Sequence, residues 1–154
     1  MKIFSNVLVV LLATAAIIAG STASASAASC KTYVNPAMAG YNASWQDPRP
    51  GGGIYPMGYT GTLYTGSSSS ACSDINASGV SGNICSIFKN KAIFVVQYLS
   101  KGVWHTDDQG PTGILCGSSV LKAIGQGYAN NTPFRVLVDL AYPMHDWPWF
   151  TLSV

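Results

Sequence analysis

Both histidines of the chain, and half of its six acidic residues, fall in two short stretches. The first is Trp104-His105-Thr106-Asp107-Asp108, and the second is Tyr142-Pro143-Met144-His145-Asp146-Trp147-Pro148-Trp149. Imidazole and carboxylate together could hold a metal through mixed nitrogen and oxygen ligands, or exchange protons in a hydrolysis. The aromatic rings add a different chemistry. Tyr and Trp present flat apolar faces with a polar tip, suited to stacking on a ligand while His and Asp hydrogen-bond its hydroxyls, and the two prolines of the second stretch would hold its shape before binding. Aspartates in turns commonly serve local hydrogen bonding, so no catalytic or metal role is assigned and no cofactor is expected. Trp104, His105, Asp107, Tyr142, His145, Asp146 and Trp147 are the candidate ligand-binding residues. The alternative for Trp147 and Trp149 is that they cap an open end of the core. No G-x-S-x-G elbow offers a serine nucleophile.

The elements that must position these stretches follow from apolar periodicity. Phe134, Val136, Val138 and Leu140 alternate with Arg135, Leu137 and Asp139, which predicts a strand with one buried face. Phe150, Leu152 and Val154 alternate with Trp149, Thr151 and Ser153, predicting a second strand that leaves a free edge at the end of the chain. Upstream, Ile84 to Phe88 and Ala92 to Leu99 predict a β-hairpin around Lys89-Asn90-Lys91, with its second arm buried over most of its length. Gly102 to His105 extends that sheet after a turn at Ser100-Lys101. Between these strands, Ser118 and Ser119 offer N-caps, and Leu121, Ile124 and Tyr128 lie at spacings of three and four, so a helix is expected over 118–129. From Cys30 to Ser70, frequent prolines and the run Gly51-Gly52-Gly53 leave room only for loops and short edge strands such as Gly61 to Thr65. The expected fold class is mostly β within α+β: a small OB-like curved antiparallel sheet or partly open barrel with one packed helix.

Lys2, the apolar run Val7 to Ala19 and the small residues ending Ala25-Ser26-Ala27 predict a secretory signal over residues 1–27, too short in its apolar core to span a bilayer. Residues 28–154 then form a single secreted domain, loop-rich over 28–82 and strand-helix-strand over 83–154, with no membrane span in the mature form. Its four cysteines, Cys30, Cys72, Cys85 and Cys116, imply two disulfides. Three pairings are open. The preferred one closes the short Cys72–Cys85 loop and ties Cys30 to Cys116. Charged residues make up 9% of the chain and the formal net charge is +2, so no nucleic-acid groove is indicated. Asn42-Ala43-Ser44, Asn76-Ala77-Ser78 and Asn130-Asn131-Thr132 match the N-glycosylation pattern, which matters only in a eukaryotic source.

The order Phe88-Lys89-Asn90-Lys91-Ala92-Ile93-Phe94, then Trp104, then a helix ending Tyr128-Ala129, then Phe134-Arg135-Val136-Leu137-Val138-Asp139 resembles the OB-fold B subunits of bacterial AB-type toxins and their small exported relatives. The resemblance covers roughly residues 84–154 and rests on element order and apolar pattern. It implies an oligosaccharide-binding fold, a homo-oligomeric ring with sugar sites facing a host surface, and room for a toxin-like partner chain. The expected function is therefore a secreted, disulfide-stabilised, non-enzymatic binding protein for a glycan or a cell-surface protein. The alternatives are a surface-assembly or adhesin subunit pairing through the last strand, and a small exported hydrolase using His105 or His145.

Overall fold

The computed structural model describes residues 30–66, 72–87, 90–140 and 147–154, so the expected signal peptide lies outside the described residues. Along the chain the strands are β1 (Thr32–Val34), β2 (Met38–Gln46), β3 (Ile54–Thr60), β4 (Leu63–Tyr64), β5 (Ile75–Ser81), β6 (Lys91–Ser100), β7 (Val103–Thr106), β8 (Thr112–Leu115), β9 (Lys122–Gly125), β10 (Pro133–Asp139) and β11 (Trp149–Ser153). A single turn of helix, α1 (Ile84–Ile87), precedes β6. The fold is mostly β, as expected, and its antiparallel strands form two sheets that do not close into a barrel. The smaller sheet runs β1-β11-β5-β9 and the larger β2-β3-β10-β6-β7, with β4 added on β10 and β8 on β6.

Alternation along β10 explains why the sheets pack face to face. Phe134, Val136 and Val138 are fully buried on one face and join one core with Phe94 and Val96 of β6, Ile75 and Ala77 of β5, Ile124 of β9, and Phe150 and Leu152 of β11. The Phe94 and Phe150 rings meet edge to face across the two sheets, 5.1 Å between centroids. In β5 the alternation breaks at Gly79, whose φ of 65° makes a bulge against β11 and returns Val80 to the core.

The other face of β10 carries a second, smaller core. The β2–β3 hairpin folds across it, so that Trp45 and Met57 cover Val95 and Leu137. At the hairpin tip the Arg49 Nη2 donates to Asp47 Oδ2 at 2.7 Å. The Arg49 guanidinium packs where a Cβ on Gly110 would otherwise sit, which docks the hairpin on the β7–β8 loop. That hydrogen-bonded ion pair holds the Asp47 carboxyl below the usual range. Asp139 follows Leu137 on the same face, opposite Met57, and is only 4% exposed. Its Oδ1 has no hydrogen-bond partner among the described residues, and burial pushes its pKa up to about 6.

Several expectations are corrected. Residues 118–129 form no helix: Lys122–Gly125 is a strand on the edge of β5, Leu121 is exposed, and only Ile124 of the expected face is fully buried. Gly125 and the positive-φ Gly127 make a poor helix, and β5 has an open edge to pair. Ile84–Ile87 is helical rather than the first arm of a hairpin. The segment expected to be loops contains the nine-residue β2 and seven-residue β3, because the hairpin they form has an apolar surface to cover. The last strand has no free edge, since β11 pairs with β1 on one side and β5 on the other.

The disulfides are Cys30–Cys72 and Cys85–Cys116, not the preferred pairing. The β1-β11-β5 order brings the residues preceding β1 and β5 together, while hydrogen bonds from Cys116 N to Asn90 O and from Gly117 N to Val80 O lay the end of β8 beside α1. Peptide mapping without reduction is expected to recover these two links, and a fragment joining Cys72 to Cys85 would contradict the fold. Closing the 42-residue separation between Cys30 and Cys72 constrains the unfolded chain, so Cys30→Ser with Cys72→Ser should cost about 4 kcal/mol in urea unfolding. For Asp139, the folded chain holds its proton up to about pH 6 whereas the unfolded chain releases it near 3.8. The native state thus binds more protons between those values, and stability should fall as pH rises through that window, by up to about 3 kcal/mol. Asp139→Asn should remove this slope in unfolding measured from pH 4 to pH 7; an unchanged slope would assign it to other groups.

Candidate functional site

A groove of about 660 Å³ opens where the two sheets part, between the end of the β6–β7 hairpin and the segment that joins β9 to β10. The hairpin turns tightly through Lys101 and Gly102, both with positive φ, between the paired Ser100 and Val103. This carries Tyr98 and His105, directly opposed across the strands, to the groove end of the sheet, where their rings stack with centroids 5.4 Å apart. The facing wall is irregular backbone, and it is tied down at several points. Tyr128 N donates to Ser73 O at 2.9 Å, Gly127 N to Asp74 Oδ1 at 3.2 Å, and Thr132 N to Thr65 Oγ1 at 2.8 Å, while the Thr65 hydroxyl donates to Ala129 O at 2.7 Å.

One side-chain bond links the two walls. The Tyr128 hydroxyl donates to Asp107 Oδ2, and Asp107 Oδ1 accepts from Gln109 N at 2.8 Å, so both oxygens of this carboxylate are engaged. Burial first, and then the bond to Asp107, push the Tyr128 phenol well above its ordinary pKa. What remains free to meet a ligand is the exposed Asp108 together with Gln109, Gln126, Asn130 and Asn131, beside the Tyr98 and Tyr128 rings. Each side-chain amide offers both a donor and an acceptor. Such a lining matches a neutral molecule bearing many hydroxyls, because every hydroxyl needs both kinds of partner.

The two sequence stretches do not come together as one site. His105 borders the groove through its stack on Tyr98, and Asp107 lines it as a locked residue rather than a free ligand. Trp104 alternates to the opposite face of β7, where its ring lies against Arg135. Trp147 is placed on β3, against Gly58, where any Cβ would collide with its ring. Trp147 is not among the residues that line the groove, whose sheet residues are Tyr98, Leu99 and Ser100 of β6 and Pro133 of β10. Trp147 and the more exposed Trp149 instead border shallow depressions beside Asn83 and Asn35. Tyr142, His145 and Asp146 lie outside the described residues. Among the described residues no three His, Cys, Asp or Glu side chains gather as a metal site.

Sequence reasoning missed Tyr98, Tyr128 and the amides. The signal was present in Asn130-Asn131-Thr132, a polar cluster that stood out in the sequence only as a match to the N-glycosylation pattern, and whose Thr132 shapes the groove wall. No protein family, curated protein or solved structure matches the chain, so the site is described by its geometry alone.

Tyr128→Phe removes the bond between the walls and leaves a carboxylate oxygen of Asp107 short of a partner, so a loss of about 1–2 kcal/mol is expected in urea unfolding. The pH response has a definite sign. The unfolded phenol ionises near pH 10 while the folded one keeps its proton, so the wild type should lose stability as pH rises past 10, and Tyr128→Phe should lose less over the same range. Equal alkaline losses in both proteins would show that Tyr128 does not carry the effect.

Proposed function

We propose that the protein is a secreted, non-enzymatic binding protein, held by two disulfides, that takes a neutral glycan of a cell surface in the groove between its sheets. The observation that carries this reading is the lining: four side-chain amides and Asp108 around the Tyr98 and Tyr128 rings, with the walls tied by the Tyr128–Asp107 bond. Aromatic faces cover the apolar side of a sugar ring, and the amides satisfy its hydroxyls on both the donor and acceptor sides. The pre-formed walls reduce the ordering that binding would otherwise require.

This reading agrees with the toxin B-subunit resemblance in function but does not rest on it, because the helix named in that resemblance is the edge strand β9 here. A homo-oligomeric ring would suit the proposal, since several weak sites on one assembly bind a glycan-covered surface far more tightly than one. A toxin-like partner chain would then be delivered by the bound ring. The hydrolase alternative gains no support from His105, whose ring is stacked on Tyr98 without a described carboxylate bonded to it.

A glycan-array screen of the purified protein, with light scattering to compare assembly states, tests the proposal. Selective binding is expected, with a loss of about tenfold or more in Asn131→Ala, the equivalent of about 1.4 kcal/mol, and no change in Trp147→Ala. No glycan bound by the folded protein would overturn the reading. Binding lost only in Trp147→Ala would move the site to the Trp147–Trp149 surface.

A further inference from the structure

The outward face of the larger sheet, away from the groove, holds a cation that nothing in the described chain neutralises. Arg135 lies on β10 with its Nε donating to Gln97 Oε1 at 2.9 Å, and Gln97 Nε2 donates in turn to Thr106 Oγ1 at 3.2 Å. Its guanidinium carbon is 4.5 Å from the Trp104 ring centroid and 4.9 Å from that of Tyr59, so β7 and β3 each supply a ring against it. Tyr59 is fixed as well, because its phenol fills the space that any Cβ on Gly40 would occupy. The contrast with Arg49 is informative. Arg49 is paired with Asp47, the sole ion pair among the described residues, whereas no described oxygen accepts from the Nη groups of Arg135.

A solvent-exposed arginine would ordinarily lose rotamer freedom on being fixed by a ligand. Here three neighbours have fixed it in the free protein, leaving the two-nitrogen edge as the unused part of a rigid fork. We propose that this edge of Arg135 binds a carboxylate-bearing ligand through two parallel N–H···O bonds. A carboxylate matches the site in shape and in charge: it is planar, and its single negative charge meets a single cation. Tetrahedral anions fit less well, and a doubly charged one would leave a charge unmatched. Partial burial, which also lowers the Arg135 pKa, strengthens the attraction to a carboxylate compared with an arginine in open water. Because Arg135 and Trp104 face away from Tyr98 and Tyr128, this site is independent of the proposed groove.

The test is a titration of the purified, isotope-labelled protein with glucuronate, glucose, propionate and inorganic sulfate, following the Arg135 Nε–H and Trp104 indole N–H resonances. Glucuronate is expected to move both saturably, with a dissociation constant on the order of millimolar. Glucose should not move them, and sulfate should bind at least about tenfold more weakly. A glucuronate affinity above that of propionate would identify the carboxylate as one carried on a sugar; equal affinities would identify a simple acyclic carboxylate such as a peptide side chain supplies. Arg135→Met should abolish the response. If that variant does not fold, Arg135→Lys decides, since it keeps the charge and stem but loses the fork, and a loss of at least about tenfold is expected. The proposal is overturned by equal responses to glucose and glucuronate, by sulfate binding as tightly as glucuronate, by no saturable shift with glucuronate, by a response retained in Arg135→Met, or by Arg135→Lys binding as tightly as the wild type.

Discussion

Burial of both faces of β10 is the constraint on which the rest of the structure depends. Its inward residues, Phe134, Val136 and Val138, require a second sheet, and β11, β5 and β9 supply it. Its outward Leu137 requires a further cover, and the β2–β3 hairpin supplies that with Trp45 and Met57. A strand buried on only one side would leave that hairpin with no surface to fold on. The hydrophobic gain from two buried faces also tolerates a local cost, the Asp139 carboxyl held at the hairpin boundary with one oxygen unpartnered among the described residues.

The covering hairpin ends before the strands do. Beyond it the same outward face carries Arg135, Gln97, Thr106 and Trp104, with Tyr59 of the hairpin itself against Arg135, polar and aromatic groups that satisfy one another in part. Their order comes from neighbouring strands in register, so the guanidinium is positioned by rigid backbone rather than by a loop. On the inward face the corresponding end of the sandwich is where the sheets part. There the groove is walled by backbone that cannot enter a ladder, and side-chain hydroxyls of Thr65, Thr132 and Tyr128 bond the groups that sheet pairing leaves over.

Two covalent links complement this arrangement by joining parts that the sheets alone hold loosely. Cys30–Cys72 anchors the three-residue β1 to the approach of β5, and Cys85–Cys116 fastens α1 to the end of β8. None of the four cysteines lines the groove or is among the partners of Arg135. They stabilise the frame without entering either surface.

The sequence by itself determined the strands whose own side chains alternate or run apolar: β6, β7, β10 and β11 stand close to where Ala92–Leu99, Gly102–His105, Phe134–Leu140 and Phe150–Val154 put them. It also determined the fold class and the use of all four cysteines as two bridges. Only the tertiary structure decided the rest. Leu121, Ile124 and Tyr128 satisfy a helical spacing, yet the open edge of β5 made the segment a strand, because pairing there offered backbone partners that an isolated, glycine-containing helix had to find alone. The cysteine pairing followed strand order, which places Cys30 beside Cys72 through a strand, β11, that lies at the far end of the chain. For the sites the division is the same. Asp107 and Trp104 were legible as residue types, but whether neighbours in sequence share a surface depends on the side of the pleat each occupies. Trp104 and His105 fall on opposite sides, and their partners, Arg135 and Tyr98, come from strands distant in the chain. Side-chain periodicity is a property of a few adjacent residues, whereas a binding surface is made by strands that meet only when burial of the core brings them together.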